Sequence, residues 1–281
     1  MNTKNGGLYI LGAAILFSLG GVCSKFNGWS GITLNGARCF LALIPLGIYI
    51  LCKKHKLVFN LRNILGGVCL FLTTTLCMMA NKMTTAANAI ILQYAAPIYI
   101  ILYRRIFKKI RSGFIDIITC ALVFAGLVFF VIDSLSAGGM AGNIIAVLSG
   151  ISYAGFCIMG EEHRTDNMSM IFIGFAISAA IGLPFTALET DFSFVTVATA
   201  CILGFFQIGL AYILFGIGLE RTGAVTTSLI STIEPILNPI LVALIYKEKM
   251  GTTAVIGAIT VIAAILAYNI ITGRKKDRAS Q

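Results

Sequence analysis

Two ionisable side chains lie inside long apolar stretches of this 281-residue chain: Glu234 in TSLISTIEPILNPILVALIY, and Arg38 in GITLNGARCFLALIPLGIYIL. An acid at mid-membrane depth costs about 2.5–3.5 kcal/mol on insertion scales, so its retention points to a compensating role. Three roles are chemically open to Glu234. It can bind a substrate amine, carry a coupling proton, or serve as a structural charge that accepts hydrogen bonds and pairs with Arg38. The planar guanidinium of Arg38 can fork onto a substrate carboxylate, or it can brace a neighbouring helix. We read Arg38 as a structural charge. Pro97 and Pro235 each remove a backbone donor from an apolar run. We read them as a pair of hinges or helix breaks, the sequence pattern that marks a midplane site. Gln93 and Tyr94 fall about one helical turn before Pro97. Uncharged polar and aromatic groups gather in the same runs. The candidate substrate-binding residues are Asn88, Gln93, Tyr94, Tyr99, Thr74, Tyr153, Gln207, Tyr212, Glu234 and Asn238. For any one of them, plain interhelical hydrogen bonding of about 0.6 kcal/mol is a sufficient account; as a cluster they suggest a cavity lining.

Other chemistries find little support. The eight cysteines form no CxxC pair, and the two histidines, His55 and His163, have no ligand-spaced neighbour. No metal site or cofactor is expected. Paired catalytic acids, HExxH, GxSxG and nucleotide-binding glycine motifs do not occur, so no catalytic residue is assigned and an enzyme is not expected.

The elements that must position these residues are membrane helices. Hydrophobic residues make up 58% of the chain and charged residues 11%, less than half the roughly 25% that a soluble surface needs. Apolar runs of spanning length occur at about 7–25, 31–52, 63–81, 85–103, 113–132, 142–160, 168–188, 195–218, 223–246 and 252–272. The expected fold is an all-α membrane protein of ten transmembrane helices around a central cavity. The first run reads as a retained helix, not a cleaved signal. The net charge of +10 sits in short clusters between apolar runs, not in a basic stripe, so no nucleic-acid partner is expected. With the N-terminus inside, sixteen of the 21 Lys and Arg residues fall on the cytoplasmic side, four fall outside, and Arg38 lies within a helix. That bias predicts both termini in the cytoplasm, with the plasma membrane as the location. The basic RKKDR at 274–278 forms a tail suited to anionic headgroups.

The chain also repeats. An offset of 138 places Thr84 on Thr222, Ala86 on Ala224, Pro97 on Pro235, Ile98 on Ile236, Lys109 on Lys247 and Gly113 on Gly251. An offset of 134 places Ser18 on Ser152, Gly21 on Gly155 and Cys23 on Cys157. The expected units are 1–137 and 138–281. Five helices is an odd number, so the second unit enters from the opposite side and the repeat is inverted.

These residues resemble the drug/metabolite transporter superfamily, specifically its EamA-type ten-helix transporters. The resemblance is carried by TTAANAIILQYAAPIYIILY at 84–103, by GAVTTSLISTIEPILNPILVALIYKEKM at 223–250 and by AYILFGIGLERTGA at 211–224. Arg38, Phe40, Ala42 and Pro45 fit the family's second-helix pattern. The acidic positions are asymmetric. Ala96 stands where the second half has Glu234, and Ile110 where it has Glu248. The resemblance implies a bundle that exports small metabolites through a central cavity, and leaves the substrate open.

The resulting expectation is a secondary transporter, an exporter of amino acids or related zwitterionic or aromatic compounds, working by alternating access. Its partners are a small-molecule substrate and membrane lipids, with homodimerisation left open. The alternative is an exporter of nucleosides or cationic amines and drugs, with Glu234 as the cation or proton site. A non-transporting scaffold and an intramembrane enzyme are the remaining classes.

Overall fold

The computed structural model describes residues 6–20, 23, 26–83, 89, 92–109, 113–132, 139–162, 164–237, 240–241 and 251–279. Among the described residues, ten helices follow one another: α1 (Gly6–Phe17), α2 (Gly31–Cys52), α3 (Leu61–Met83), α4 (Ala96–Ile106) and α5 (Phe114–Val131) form the first five. The second five are α6 (Met140–Glu161), α7 (Asn167–Gly182, extended by a 3₁₀ segment Leu183–Leu188), α8, α9 (Ala224–Ser231) and α10 (Thr252–Ala279). Helix α8 is composite: Phe194–Ile202, a π-helical segment Leu203–Leu210, then Ala211–Thr222. No strand occurs among the described residues.

Polar residues set the helix starts. Ser30 caps α2 by accepting from Thr33 N (3.3 Å), and Asp166 caps α7 by accepting from Ser169 N (2.8 Å). Such caps satisfy amide donors that no helical carbonyl can reach. Gly223, at φ +88°, joins α8 directly to α9. A side chain would strain that left-handed backbone.

The helices pack in pairs that exchange when each is replaced by the one five places on. α3 packs on α6 as α8 packs on α1, α2 on α8 as α7 on α3, and α1 on α9 as α6 on α4. The pairs α2–α7, α4–α9 and α5–α10 map onto themselves. This is the contact pattern of two five-helix repeats related by a two-fold axis. The axis passes the α2–α7 crossing, where a Cβ on Gly36 would lie 2.4 Å from Gly182 Cα. Only glycine on both helices permits that approach.

The side-chain distribution is that of a bilayer protein. Leu8, Phe40, Ile48, Leu51, Phe206, Ile259 and Leu266 face outward and are exposed, whereas Thr73, Ser149, Ser178, Thr227 and Ser228 are buried. The helices Gly31–Cys52, Leu61–Ala80, Met140–Glu161, Asn167–Leu188 and Phe194–Thr222 are long and apolar enough to cross a membrane by length and composition. Four more are apolar but shorter over the described residues.

Candidate functional site

α4 and the short helical segment 234–237 that follows α9 begin in the same way. Ala95 is a turn residue whose carbonyl accepts from Ile98 N (2.9 Å) and Tyr99 N (3.4 Å). In the other repeat, Ile233 O accepts from Ile236 N (3.2 Å) and Leu237 N (2.9 Å), after a turn at Thr232 and Ile233. Pro97 and Pro235 are therefore second residues of new helical segments, not residues within a continuous span as the apolar runs suggest. A first-turn amide has no helical acceptor, so a proline there forfeits nothing.

Between the two breaks lies a cavity of about 210 Å³. The first repeat contributes Phe17 and Gly20 beside α1, Arg38 from α2, Thr73, Thr74, Cys77 and Met78 from α3, and Gln93 and Tyr94 just ahead of α4. The second repeat contributes Tyr153 from α6, Gln207, Ile208, Tyr212 and Phe215 from α8, and Glu234. Seven of the sequence candidates thus share one cavity: Thr74, Gln93, Tyr94, Tyr153, Gln207, Tyr212 and Glu234. Arg38, read from sequence as a structural charge, joins them. Tyr99 does not line the cavity; its hydroxyl donates to Leu92 O (3.1 Å) and braces the turn at Ala95. Asn88 and Asn238 lie outside the described residues, as do Glu248 and its neighbouring lysines. Phe17, Cys77, Met78, Ile208 and Phe215 were not legible beforehand, since an apolar residue in an apolar helix carries no mark of which face it turns inward.

Several polar groups of the wall have partners that hold them. Arg38 is buried, and its Nε and Nη2 donate to Asn35 Oδ1 at 3.2 and 2.9 Å. The i to i+3 spacing on α2 puts both residues on one face. The Tyr94 hydroxyl and the Arg38 guanidinium both lie close enough to the Glu234 carboxyl to act on it electrostatically. Aromatic rings fill the spaces between. Tyr212 meets Phe17 edge-on with centroids 4.8 Å apart, and Tyr94 and Tyr153 lie 6.4 Å apart. Gln207 sits within the π-helical segment of α8. That wider turn is a device found at functional positions, and its counterpart α3 is a regular helix.

The end of the bundle that carries the basic clusters has ionic contacts between the repeats, around a second cavity of about 570 Å³. Arg104 of α4 pairs with Glu161 of α6, Lys108 with Glu162 at 2.5 Å, and Arg62 of α3 with Glu162 at 3.3 Å. His55 Nε2 meets Asp166 Oδ1 at 2.8 Å, and Asn63 Oδ1 accepts from Asp166 N at 2.9 Å. The hydrogen bond from Lys108, reinforced by the charges of Lys108 and Arg62, holds the Glu162 carboxyl below its usual range. The opposite end repeats these contacts with different chemistry. Trp29 Nε1 donates to Asp191 O (2.7 Å), Ser30 N to Glu189 Oε1 (2.8 Å) and Asn27 Nδ2 to Thr196 O (2.8 Å). The loop between α1 and α2 thus meets the one between α7 and α8, just as the α6–α7 loop meets the α2–α3 loop.

The EamA-like transporter family matches residues 4–132 and matches again over residues 140–270. The chain belongs to this family. The EamA-like unit occurs twice, once in each half, and the family lies in the drug/metabolite transporter superfamily. As an EamA-like protein it is a multi-pass membrane transporter of small molecules. One solved crystal structure is similar over 96% of this chain and 98% of its own, with a TM-score of 0.82 at 15% sequence identity. That likeness establishes the shared fold alone. No curated protein matches the chain in sequence.

Proposed function

We propose that this EamA-like protein is a secondary active exporter of small zwitterionic organic metabolites, amino acids or their close relatives, across the plasma membrane. The observation that carries this reading is that Arg38 and Glu234 line one small cavity together with several aromatic rings. Arg38 offers a planar donor fork for a carboxylate. Glu234 offers the opposite charge for an amine, and Phe17, Tyr153, Tyr212 and Phe215 offer faces and edges to an apolar or aromatic side group. At about 210 Å³ the cavity is smaller than the roughly 300–1,000 Å³ of sites for drug-sized ligands, which favours a metabolite.

Transport proceeds by alternating access of the two repeats. The ionic contacts of Glu161 and Glu162 form the cytoplasmic closure, in keeping with the excess of Lys and Arg at that end and with both termini inside. Glu234 carries the coupling proton, exchanging it for substrate at the cavity wall. A second reading, a carrier of cationic amines that ignores Arg38, is supported by Tyr94 and Tyr153 beside Glu234, since aromatic faces attract ammonium groups.

Counterflow in proteoliposomes tests the proposal. Vesicles loaded with unlabelled amino acid are expected to accumulate the labelled form. The same assay with the corresponding decarboxylated amine separates the readings: equal exchange of amine and amino acid would favour the cationic carrier. Vesicles that exchange neither would sink both.

A further inference from the structure

Four cations and two carboxylates line the second cavity, of about 570 Å³, at the end of the bundle that carries the basic clusters. Arg62 lies in the first turn of α3, Arg104 in the last turn of α4, and Lys108 just beyond it. Glu161 ends α6, Glu162 is its C-cap, and the exposed Arg164 follows in the α6–α7 loop. The cavity thus lies between the repeats, where three helix ends meet. It shares no lining residue with the central cavity. Its volume falls within the roughly 300–1,000 Å³ of ordinary ligand sites.

The carboxylates do not use up the positive charge. Glu161 takes Arg104, and Glu162 is shared between Lys108 at 2.5 Å and Arg62 at 3.3 Å. The Arg164 guanidinium has no acidic partner among the described residues, and its backbone carbonyl accepts from Asn60 Nδ2 at 3.4 Å. Four positive charges against two negative leave a surplus of two. Arg62 adds to that surplus from an unfavourable place, because the first turn of a helix is already the positive end of the backbone dipole. Like charges around one open space repel, and an anion in that space offsets the repulsion.

The surplus also indicates which anion. A phosphate monoester carries about −1.5 to −2 at neutral pH and three acceptor oxygens. Guanidinium groups match such oxygens two at a time, and three of the four cations are arginines. A single carboxylate offers less charge and one oxygen fewer.

We infer that the second cavity binds a phosphate monoester, free in solution or as the headgroup of an anionic lipid. Basic pockets between helix ends at a membrane surface suit both sources. The inference goes beyond the reading of the central cavity and does not depend on it.

The test uses the purified full chain in detergent and two probes, glycerol 3-phosphate and short-chain phosphatidic acid. Their controls are sodium chloride at equal ionic strength and short-chain phosphatidylcholine. Apparent Kd values come from thermal-shift titrations, since a ligand raises the midpoint of the state it binds. Stabilisation by glycerol 3-phosphate identifies a soluble monoester, and stabilisation by phosphatidic acid alone identifies a lipid headgroup. Arg164→Gln removes a cation with no ion pair to lose, so the fold is expected to hold. Its affinity should fall about ten-fold or more, the loss that follows from one hydrogen bond to a charged group. Lys56→Gln, at the same end of the bundle but off the cavity, should bind as wild type does. Size-exclusion elution and the ligand-free unfolding midpoint check that each variant folds. A wild-type chain that neither probe stabilises beyond its control overturns the inference. Unchanged affinity in folded Arg164→Gln overturns it too, and so does an equal loss in Lys56→Gln, because diffuse surface charge then accounts for the binding.

Discussion

Tyr94 and Glu234 come from the broken helices of opposite repeats and line one cavity, with the hydroxyl of one close enough to act on the carboxyl of the other. Each sits within three residues of its repeat's proline, Pro97 or Pro235. The breaks related by the two-fold axis thus place an acid and its partner against each other without supplying the same residue twice. In the first repeat Ala96 occupies the position equivalent to Glu234. The helix contacts follow the two-fold repeat, and the residues that line the cavity do not.

Glu234→Gln tests the coupling role. The amide keeps the shape of the carboxyl and a hydrogen-bonding group for Tyr94, but it cannot exchange a proton. Folded yield is expected to stay close to wild type, and flux driven by a pH gradient in proteoliposomes should disappear. Wild-type gradient-driven flux in the variant would remove Glu234 from the coupling step.

Arg38 is positioned by Asn35, so the two should fail together. Asn35→Leu leaves the guanidinium without the acceptor of its 2.9 and 3.2 Å hydrogen bonds. Losing a hydrogen bond to a buried charged group costs about 1.5–3 kcal/mol. Amino-acid transport is expected to fall roughly ten-fold or more, and Arg38→Lys should do the same by removing the planar fork. Transport of the decarboxylated amine should change little. Equal losses for both substrates would point to a general packing defect.

Glu162 gives a pH signature outside the cavity. Its carboxyl is held below its usual range by Lys108 and Arg62. A carboxyl with a lowered folded-state pKa stabilises the fold fully above its unfolded value, about 4.3, and loses that contribution as pH falls through the folded value. The thermal midpoint of Glu162→Gln should therefore lie below wild type at neutral pH, and the difference should shrink as pH falls below about 4.3 and vanish once the lowered folded-state value is passed. The shift is expected to be small, because the group is partly exposed and screened. A difference that grows on acidification would contradict the assigned ion pairs.

Gln93→Cys, with the other accessible cysteines replaced, reports the lining directly. Thiol labelling should slow when an amino-acid substrate is present, because Gln93 shares the cavity wall with Glu234. Labelling rates indifferent to every ligand that stabilises the protein would place the ligand elsewhere.

Gly182→Ala tests the two-fold crossing. The added Cβ would stand 2.5 Å from Gly36 Cα, backbone that has no room to give. Overpacking of this kind costs about 1–3 kcal/mol, and should appear as a lower unfolding midpoint and reduced folded yield. Gly47→Ala, where a Cβ meets nothing within 4 Å, should leave both unchanged.

Much of this protein is decided by composition and order along the chain. A chain with so few charges has to bury its backbone polar groups in helices within lipid, so ten apolar runs imply ten helices. The pairing of Pro97 with Pro235 likewise identified the two halves, because a fixed offset survives wherever the helices are placed. Tertiary structure decided the rest. Hydropathy does not distinguish a lipid-facing residue from one facing the cavity, so Phe17 and Phe215 became wall residues only when the helices packed. Arg38 could brace a helix or face a ligand from the same position on α2, and the approach of α8 and α9 brought it to the cavity. The unpaired oxygen of Gln207 lies furthest from the sequence. The amide that carries it donates through Nε2 to the carbonyl of Phe17, 190 residues away.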